Sequence, residues 1–360
     1  MVTPSRSGTG SDAESPAAPS SALPPPRSGP PRPLETAEID RYLRAALDED
    51  RGGGDLTSFT AVPEKARARA TLVAKGAGVL AGLPVFARTF EICDRRAKIE
   101  LLAKDGSTCK KGDVVARIEG SARALLLAER TALNFIQRLS GTATMTAKFV
   151  RLAREAVGAD GASGGSAAGG PSGGSAVDGP SGRTAEKPSE RTARAEAPRI
   201  LDTRKTTPGL RLLEKYAVRC GGGENHRFGL YDEVMVKENH IELAGRGIEA
   251  VLEDLRRAVG PGIRITSEAR DEREALAAVD GGADVVLLDN MTAKELARLA
   301  PILRARAAHR GRPVELEASG GVDERTIGDI ARAGVDRISI GALTHSAPAL
   351  DLSLELEPAP

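Results

Sequence analysis

The 360-residue chain carries 51 basic and 50 acidic side chains, a formal net charge of +1, so it lacks the basic excess of a generic nucleic-acid or membrane-surface binder. Three Tyr, six Phe and no Trp leave the core to Ala, Val, Leu and Ile. Three cysteines without CxxC spacing argue against a disulfide framework or zinc site; with no apolar run at the N-terminus and none approaching the roughly 18 residues of a membrane span, a soluble cytoplasmic protein is expected.

Residues 1–33 hold nine prolines and only Val2 and Leu23 as large aliphatics, and residues 158–198 hold ten glycines and Val177 alone. Neither segment has the apolar surface to offset its ordering entropy, so both are expected to be disordered. Between them, 36–50 places Ile39, Tyr42, Leu43, Ala46 and Leu47 at helical spacing after a Thr36 cap. From Ala68 to Glu119, strand-like runs broken by glycine turns suit an antiparallel sheet. Helices are expected over 122–137 and 142–157.

After residue 198, β-branched runs at 199–203, 232–236, 262–267, 284–288, 313–317 and 335–340 alternate with amphipathic helices. In the helix expected at 246–259, Ile248, Val251, Leu252, Leu255 and Val259 form one apolar stripe. Such alternation predicts a parallel α/β architecture, open or barrel. The length suits two folded units: a domain over 34–135, rejoined by 347–357, and a second over 136–346 that contains the 158–198 insert.

Unusual polar residues gather where these runs end. They stand in DTRKTTPGLR (202–211), GGGENHR (221–227), VKENH (236–240), SEAR (267–270), LLDN (287–290), EASGG (317–321) and IGALTHS (340–346). In a parallel barrel all of these points lie on the C-terminal face, where active sites form. Arg204, Lys205, His226, Arg227 and Lys237 make a cationic half, suited to a substrate with several negative charges. Glu268 and Asp289 make an anionic half, suited to a divalent cation or sugar hydroxyls. SGG before a helix expected at 323–333, with GAL after the last strand, offers a phosphate cup of backbone N–H groups.

Single residues have plainer readings. Any one charge of DTRK could belong to a surface ion pair, and the glycine pairs could be ordinary strand–helix turns. His240 and His345 read as hydrogen-bonded structural histidines, and Cys220 as a small buried side chain with no evident base. The joint pattern on one face carries the functional reading, since chance would scatter these residues over both.

These motifs, with ERTALNFIQRLSGTAT (129–144), GGGDLTS (52–58) and AKGAGVLAG (74–82), closely resemble the quinolinate phosphoribosyltransferase family over about residues 36–357, apart from the insert. The resemblance implies an α/β sandwich domain joined to an incomplete, seven-strand-like α/β barrel with its active site at the C-terminal face of the strands. It implies conversion of quinolinate and phosphoribosyl pyrophosphate, with magnesium, to nicotinate mononucleotide, pyrophosphate and carbon dioxide, for the synthesis of NAD. By motif match, Arg130, Arg204, His226, Arg227 and Lys237 would surround the quinolinate dicarboxylate, and Lys205 would face phosphoribosyl pyrophosphate. Glu268 and Asp289 would hold ribose hydroxyls and magnesium, Ser319, Gly320, Gly321 and Gly341 would hold the 5′-phosphate, and His345 would complete the substrate site. Lys205, Glu268 and Asp289 are the residues expected to act in the chemistry. The family works as a dimer or multiple of dimers in which the sandwich domain of one subunit caps the partner's barrel, so Arg130 would act across the interface. Two other readings are weighed: a related enzyme of this fold using another anionic base, and a non-catalytic binder of phosphorylated metabolites or RNA. The complete cationic set disfavours the first; the carboxylates inside the same site, the balanced charge and the few aromatics disfavour the second.

Overall fold

The computed structural model describes residues 31–163 and 196–359, so the expectations of disorder for 1–33 and 158–198 lie, apart from their edges, outside the described residues. The first helix, α1 (Thr36–Arg51), buries Ile39, Leu43 and Leu47 at the spacing the sequence predicts. Its cap is Glu35 rather than Thr36. The Glu35 N–H donates to the Glu38 carboxylate at 3.2 Å, and Arg32 reaches both glutamates.

The small domain continues with α2 (Leu56–Ala61), β1 (Arg67–Ala74), β2 (Gly78–Val79), α3 (Leu83–Cys93), β3 (Lys98–Leu101), β4 (Thr108–Cys109) and β5 (Val114–Ser121). β1 and β3 both pair antiparallel with β5. The apolar face of this sheet buries Ala70, Leu72 and Ile118 against Phe86 and Phe90 of α3 and Leu125 and Ile136 of the following helix. Phe86 and Phe90 meet edge to face with centroids 5.1 Å apart.

That following helix, α4, is one continuous element from Ala122 to Ser163, where the sequence suggested two. The residues that read as a break are close-contact positions instead. Ser140 Oγ accepts the Ala81 N–H at 3.0 Å, and a Cβ on Gly141 would come within 2.0 Å of the Pro348 carbonyl. The helix therefore runs through the 135/136 boundary, packing on α3 at one end of its contacts and on the barrel helices α5 (Arg211–Cys220) and α10 (Ile327–Arg332) at the other.

The six expected parallel strands all form: β6 (Arg199–Leu201), β7 (Val234–Val236), β8 (Ile265–Ala269), β9 (Val285–Asp289), β10 (Glu315–Ser319) and β11 (Arg337–Ser339). Their spatial order is β6-β11-β10-β9-β8-β7. A parallel bridge from Leu201 to Glu224 adds a seventh position outside β6, and the barrel is left open between that segment and β7. Between the strands lie α6 (Glu238–Ala244), α7 (Ile248–Val259), α8 (Glu272–Asp280), α9 (Ala293–His309) and α11 (Ala342–His345). Ile200, Leu316, Ile338, Val286 and Leu288 belong to the core under these helices, joined by the apolar stripe of α7. The other strand face carries charge: Glu317 stands in register with Arg337, and both are buried. The last strand, β12 (Leu352–Pro358), returns to pair antiparallel with β1, completing a sheet of order β12-β1-β5-β3.

Candidate active site

β8, β9 and β10 run later than their sequence patterns suggested, so Glu268 lies within β8 while Asp289 and Ser319 are the last residues of β9 and β10. A residue at a strand end is held by the ladder on one side and open to ligand on the other. The strand ends enclose a cavity of about 630 Å³. Its lining includes Arg204, Lys205, His226, Arg227, Lys237, Glu268, Asp289, Ser319, Gly320, Gly321, Gly341 and His345. Of the residues expected in the site, Arg130 alone lies elsewhere: from α4 it lines a separate cavity of about 480 Å³ with Asn134, Arg138, Thr207 and Glu214.

A buried polar network sets the cationic wall. Asp202, at the end of β6, and Lys215, on α5, form an ion pair with 0% and 1% of their side chains exposed. Asp202 also accepts the Asn225 amide at 2.6 Å and the His226 N–H at 2.9 Å, while Lys215 donates to the His226 carbonyl at 3.0 Å. Burial pushes the Asp202 carboxyl up and the Lys215 ammonium down, against their mutual attraction. Losing one partner would leave the other charge buried alone, at about 3–5 kcal/mol. The pair thereby fixes residues 225–227 on β6. Arg211 ties the neighbouring loop, donating to Thr206 Oγ1 and the Phe228 carbonyl, both at 3.0 Å. Arg204 Nε is buried in this wall with no hydrogen-bond partner among the described residues, a donor placed for an anionic ligand.

Lys237 bridges the two halves through an ion pair with Glu268. Asp289 accepts the Asn290 side-chain amide at 2.7 Å. Asn290 has φ 56°, the one positive φ at a non-glycine among the described residues. Its side chain occupies the space above Gly320, where a Cβ would fall 2.1 Å from Asn290 Oδ1. Gly320 and Gly321 are both left-handed, at φ 92° and 62°, so the cup is a backbone turn that L side chains rarely adopt. It does not open on a helix as expected: α10 begins only at Ile327, after a turn in which Asp323 accepts the N–H groups of Arg325 and Thr326. Just after β11, at the cap of α11, a Cβ on Gly341 would lie 3.1 Å from both Lys205 Cδ and His345 Nε2.

His240 accepts the Lys237 N–H through Nδ1 at 2.9 Å, and His345 Nδ1 lies 2.7 Å from Ser346 Oγ. Burial pushes the Cys220 thiol up to about 12, which leaves it protonated and unreactive at neutral pH. The sequence reasoning gave no role to Glu317, Ser339, Asn290 or Thr203, which also line the cavity. Glu317 had a signal, since strand side chains two apart share a face and it stands two before Ser319.

With this geometry, the comparisons with known proteins are specific. Residues 184–355 match the C-terminal domain of quinolinate phosphoribosyl transferase, and residues 55–140 match its N-terminal domain. The chain belongs to the quinolinate phosphoribosyltransferase family. A probable carboxylating nicotinate-nucleotide pyrophosphorylase of Bacillus subtilis is 39% identical over 322 residues, 89% of this chain and 93% of the relative. The carboxylating nicotinate-nucleotide pyrophosphorylase of Rattus norvegicus is 36% identical over 323 residues, 90% and 92% of the two chains. Among solved structures, the nicotinate-nucleotide pyrophosphorylase of Francisella tularensis superposes with a TM-score of 0.73 at 32% identity, covering 92% of this chain and all of the other. Both family domains are thus present, and the observed sheet and parallel barrel agree with this fold.

Proposed function

We infer that the protein transfers the phosphoribosyl group of phosphoribosyl pyrophosphate to quinolinate, releasing pyrophosphate and one carboxylate as carbon dioxide to give nicotinate mononucleotide for NAD synthesis. The observation that carries this is one cavity holding Arg204, Lys205, Arg227 and Lys237 beside Glu268, Asp289 and the Ser319–Gly321 turn. Arg204, Arg227 and Lys237 offer charged donors to two adjacent carboxylates, with bidentate geometry available from each Arg. A monoacid would leave part of that cationic wall unpaired, which favours the dicarboxylate. Backbone N–H groups at Gly320, Gly321 and Gly341 receive the 5′-phosphate, Lys205 faces the pyrophosphate, and His345 completes that wall.

Glu268 and Asp289 sit beside the position of the ribose, where a fixed negative charge stabilises the oxocarbenium-like sugar as pyrophosphate leaves. The pyridine nitrogen attacks the ribose carbon that pyrophosphate leaves and becomes cationic, so the adjacent ring carbon can take the electron pair released as its carboxylate departs as carbon dioxide, and then takes up a proton from water. No side-chain nucleophile is required. Positioning of two reactants supplies much of the acceleration, of order 7–11 kcal/mol in well-oriented systems. Two carboxylates are hard oxygen donors that fit magnesium, but no group of three or more His, Cys, Asp or Glu side chains gathers for a metal among the described residues. Magnesium would therefore be held by Glu268 and Asp289 mainly through substrate oxygens, where it would neutralise charge on the pyrophosphate.

Arg130 is assigned to the partner's site in a homodimer, since it lies outside the cavity of its own chain. Among the described residues no helix is long and apolar enough to cross a membrane; the cytoplasm is the proposed location. The test is incubation with quinolinate, phosphoribosyl pyrophosphate and magnesium. Nicotinate mononucleotide is expected, and its absence from folded protein contradicts the reading.

A further inference from the structure

Beneath the substrate cavity, three buried charged or polar side chains meet with few other partners. Glu317 is 0% exposed, Arg337 2% and His226 6%. Arg337 Nε lies 2.7 Å from one Glu317 oxygen, and His226 Nε2 lies 3.3 Å from the other. Among the described residues, both Glu317 oxygens, Arg337 Nε and His226 Nε2 lack an aligned hydrogen bond, so their compensation comes from this cluster, with the Ser339 hydroxyl beside Glu317 and Glu315 3.4 Å from the Arg337 guanidinium. The other ring nitrogen of His226, Nδ1, accepts the backbone N–H of Arg227 at 2.7 Å. A backbone N–H can only donate, so Nδ1 carries the lone pair and Nε2 carries the proton.

We propose that Glu317 is a positioning residue for the quinolinate half of the site: it holds His226 in the Nε2–H tautomer, which leaves Nδ1 free to anchor the backbone of Arg227. Arg337 fixes Glu317 from the opposite side. The argument rests on the charges each atom can present. A carboxylate accepts from both Arg337 and the His226 Nε2–H. A glutamine in its place must offer its oxygen to one and its NH₂ to the other. With the oxygen on Arg337, two N–H donors face each other at Nε2, and relief requires the proton to move to Nδ1. There it would oppose the Arg227 N–H and release the 226–227 turn, which lines the cavity.

The role assigned to quinolinate rests on the functional reading above, and the experiment separates the two. The chain has four histidines, so selective ¹⁵N-histidine labelling of the full-length protein resolves the ring of His226. In the wild type, Nε2 is expected to be protonated and Nδ1 bare. In Glu317→Gln the Nδ1 signal should shift toward the protonated form. By calorimetry, quinolinate affinity should fall about tenfold, the effect of one uncompensated buried polar group, while phosphoribosyl pyrophosphate affinity stays within about twofold. Glu317→Asp, which keeps the charge, should restore the tautomer and part of the affinity. A wild-type ring protonated on Nδ1 overturns the proposal, even if Glu317→Gln does not fold. So does a folded Glu317→Gln with an unchanged ring spectrum, or with equal losses for both substrates. If the wild type binds no quinolinate, the functional reading fails, and the ring spectra still decide whether Glu317 sets the tautomer.

Discussion

Arg204 and Asp289 line one cavity with opposite charge, and their chemistry divides the substrates between them. Arg204→Ala and Arg227→Ala should weaken quinolinate binding while largely sparing phosphoribosyl pyrophosphate; Asp289→Ala should do the reverse. Calorimetric titration of each substrate alone checks this, and equal weakening of both in all three variants would contradict the division. Glu317 gives a second prediction. Burial by itself raises its carboxyl, but the facing His226 ring and the Arg337 guanidinium outweigh that and hold the group at about 2, against an ordinary 4.5. As pH falls below about 4.5 the unfolded chain takes up this proton first, so stability present above that pH is lost progressively toward about 2. Urea unfolding at stepped pH should show a steeper acid loss in the wild type than in Glu317→Gln. The charged residues that line the cavity were legible because charge at a strand end has few structural reasons to exist. The spacing of Glu317 to Ser319 signalled its face, but not its role, which depends on Arg337, a β11 residue in register with it on the neighbouring strand.

At the level of elements, periodicity found all six parallel strands and the antiparallel sheet, since each apolar stripe has one core to face. It failed where a local signal has two physical causes. The sequence suggests a break over 138–141 between two helices, yet a small residue also allows close packing, and here Gly141 admits the Pro348 carbonyl beside α4. The same ambiguity placed a helix start directly after the Ser319–Gly321 turn, where Asp323 instead caps a short turn before α10. The end of α4 and the start of β6 flank residues 164–195 at the N-terminal ends of the barrel strands, opposite the cavity. Replacing 164–195 with a short Gly/Ser connection should therefore leave turnover within about twofold, because closure cost changes only slowly with loop length. A folded deletion protein with little activity would give that segment a role in catalysis.

For the whole molecule, the position of Arg130 is the informative fact. It shares a cavity with Thr207 and Glu214 rather than with Asp289 or Lys237. If it serves the partner's site, Arg130→Ala and Lys237→Ala proteins should each be nearly inactive, yet recover activity when mixed and re-assorted. A mixed dimer carries both lesions in one site and neither in the other, so random assortment should return about a quarter of the wild-type rate. No recovery after demonstrated subunit exchange would return Arg130 to its own barrel or remove it from the reaction. The central claim, that the cationic wall exists for a dicarboxylate lost in part during transfer, has a more direct test. Quinolinate labelled at the carboxylate next to the ring nitrogen, supplied with phosphoribosyl pyrophosphate and magnesium, should release labelled carbon dioxide in equal amount with nicotinate mononucleotide, and none without phosphoribosyl pyrophosphate. Nucleotide formed from nicotinate in preference to quinolinate, with no carbon dioxide, would contradict it.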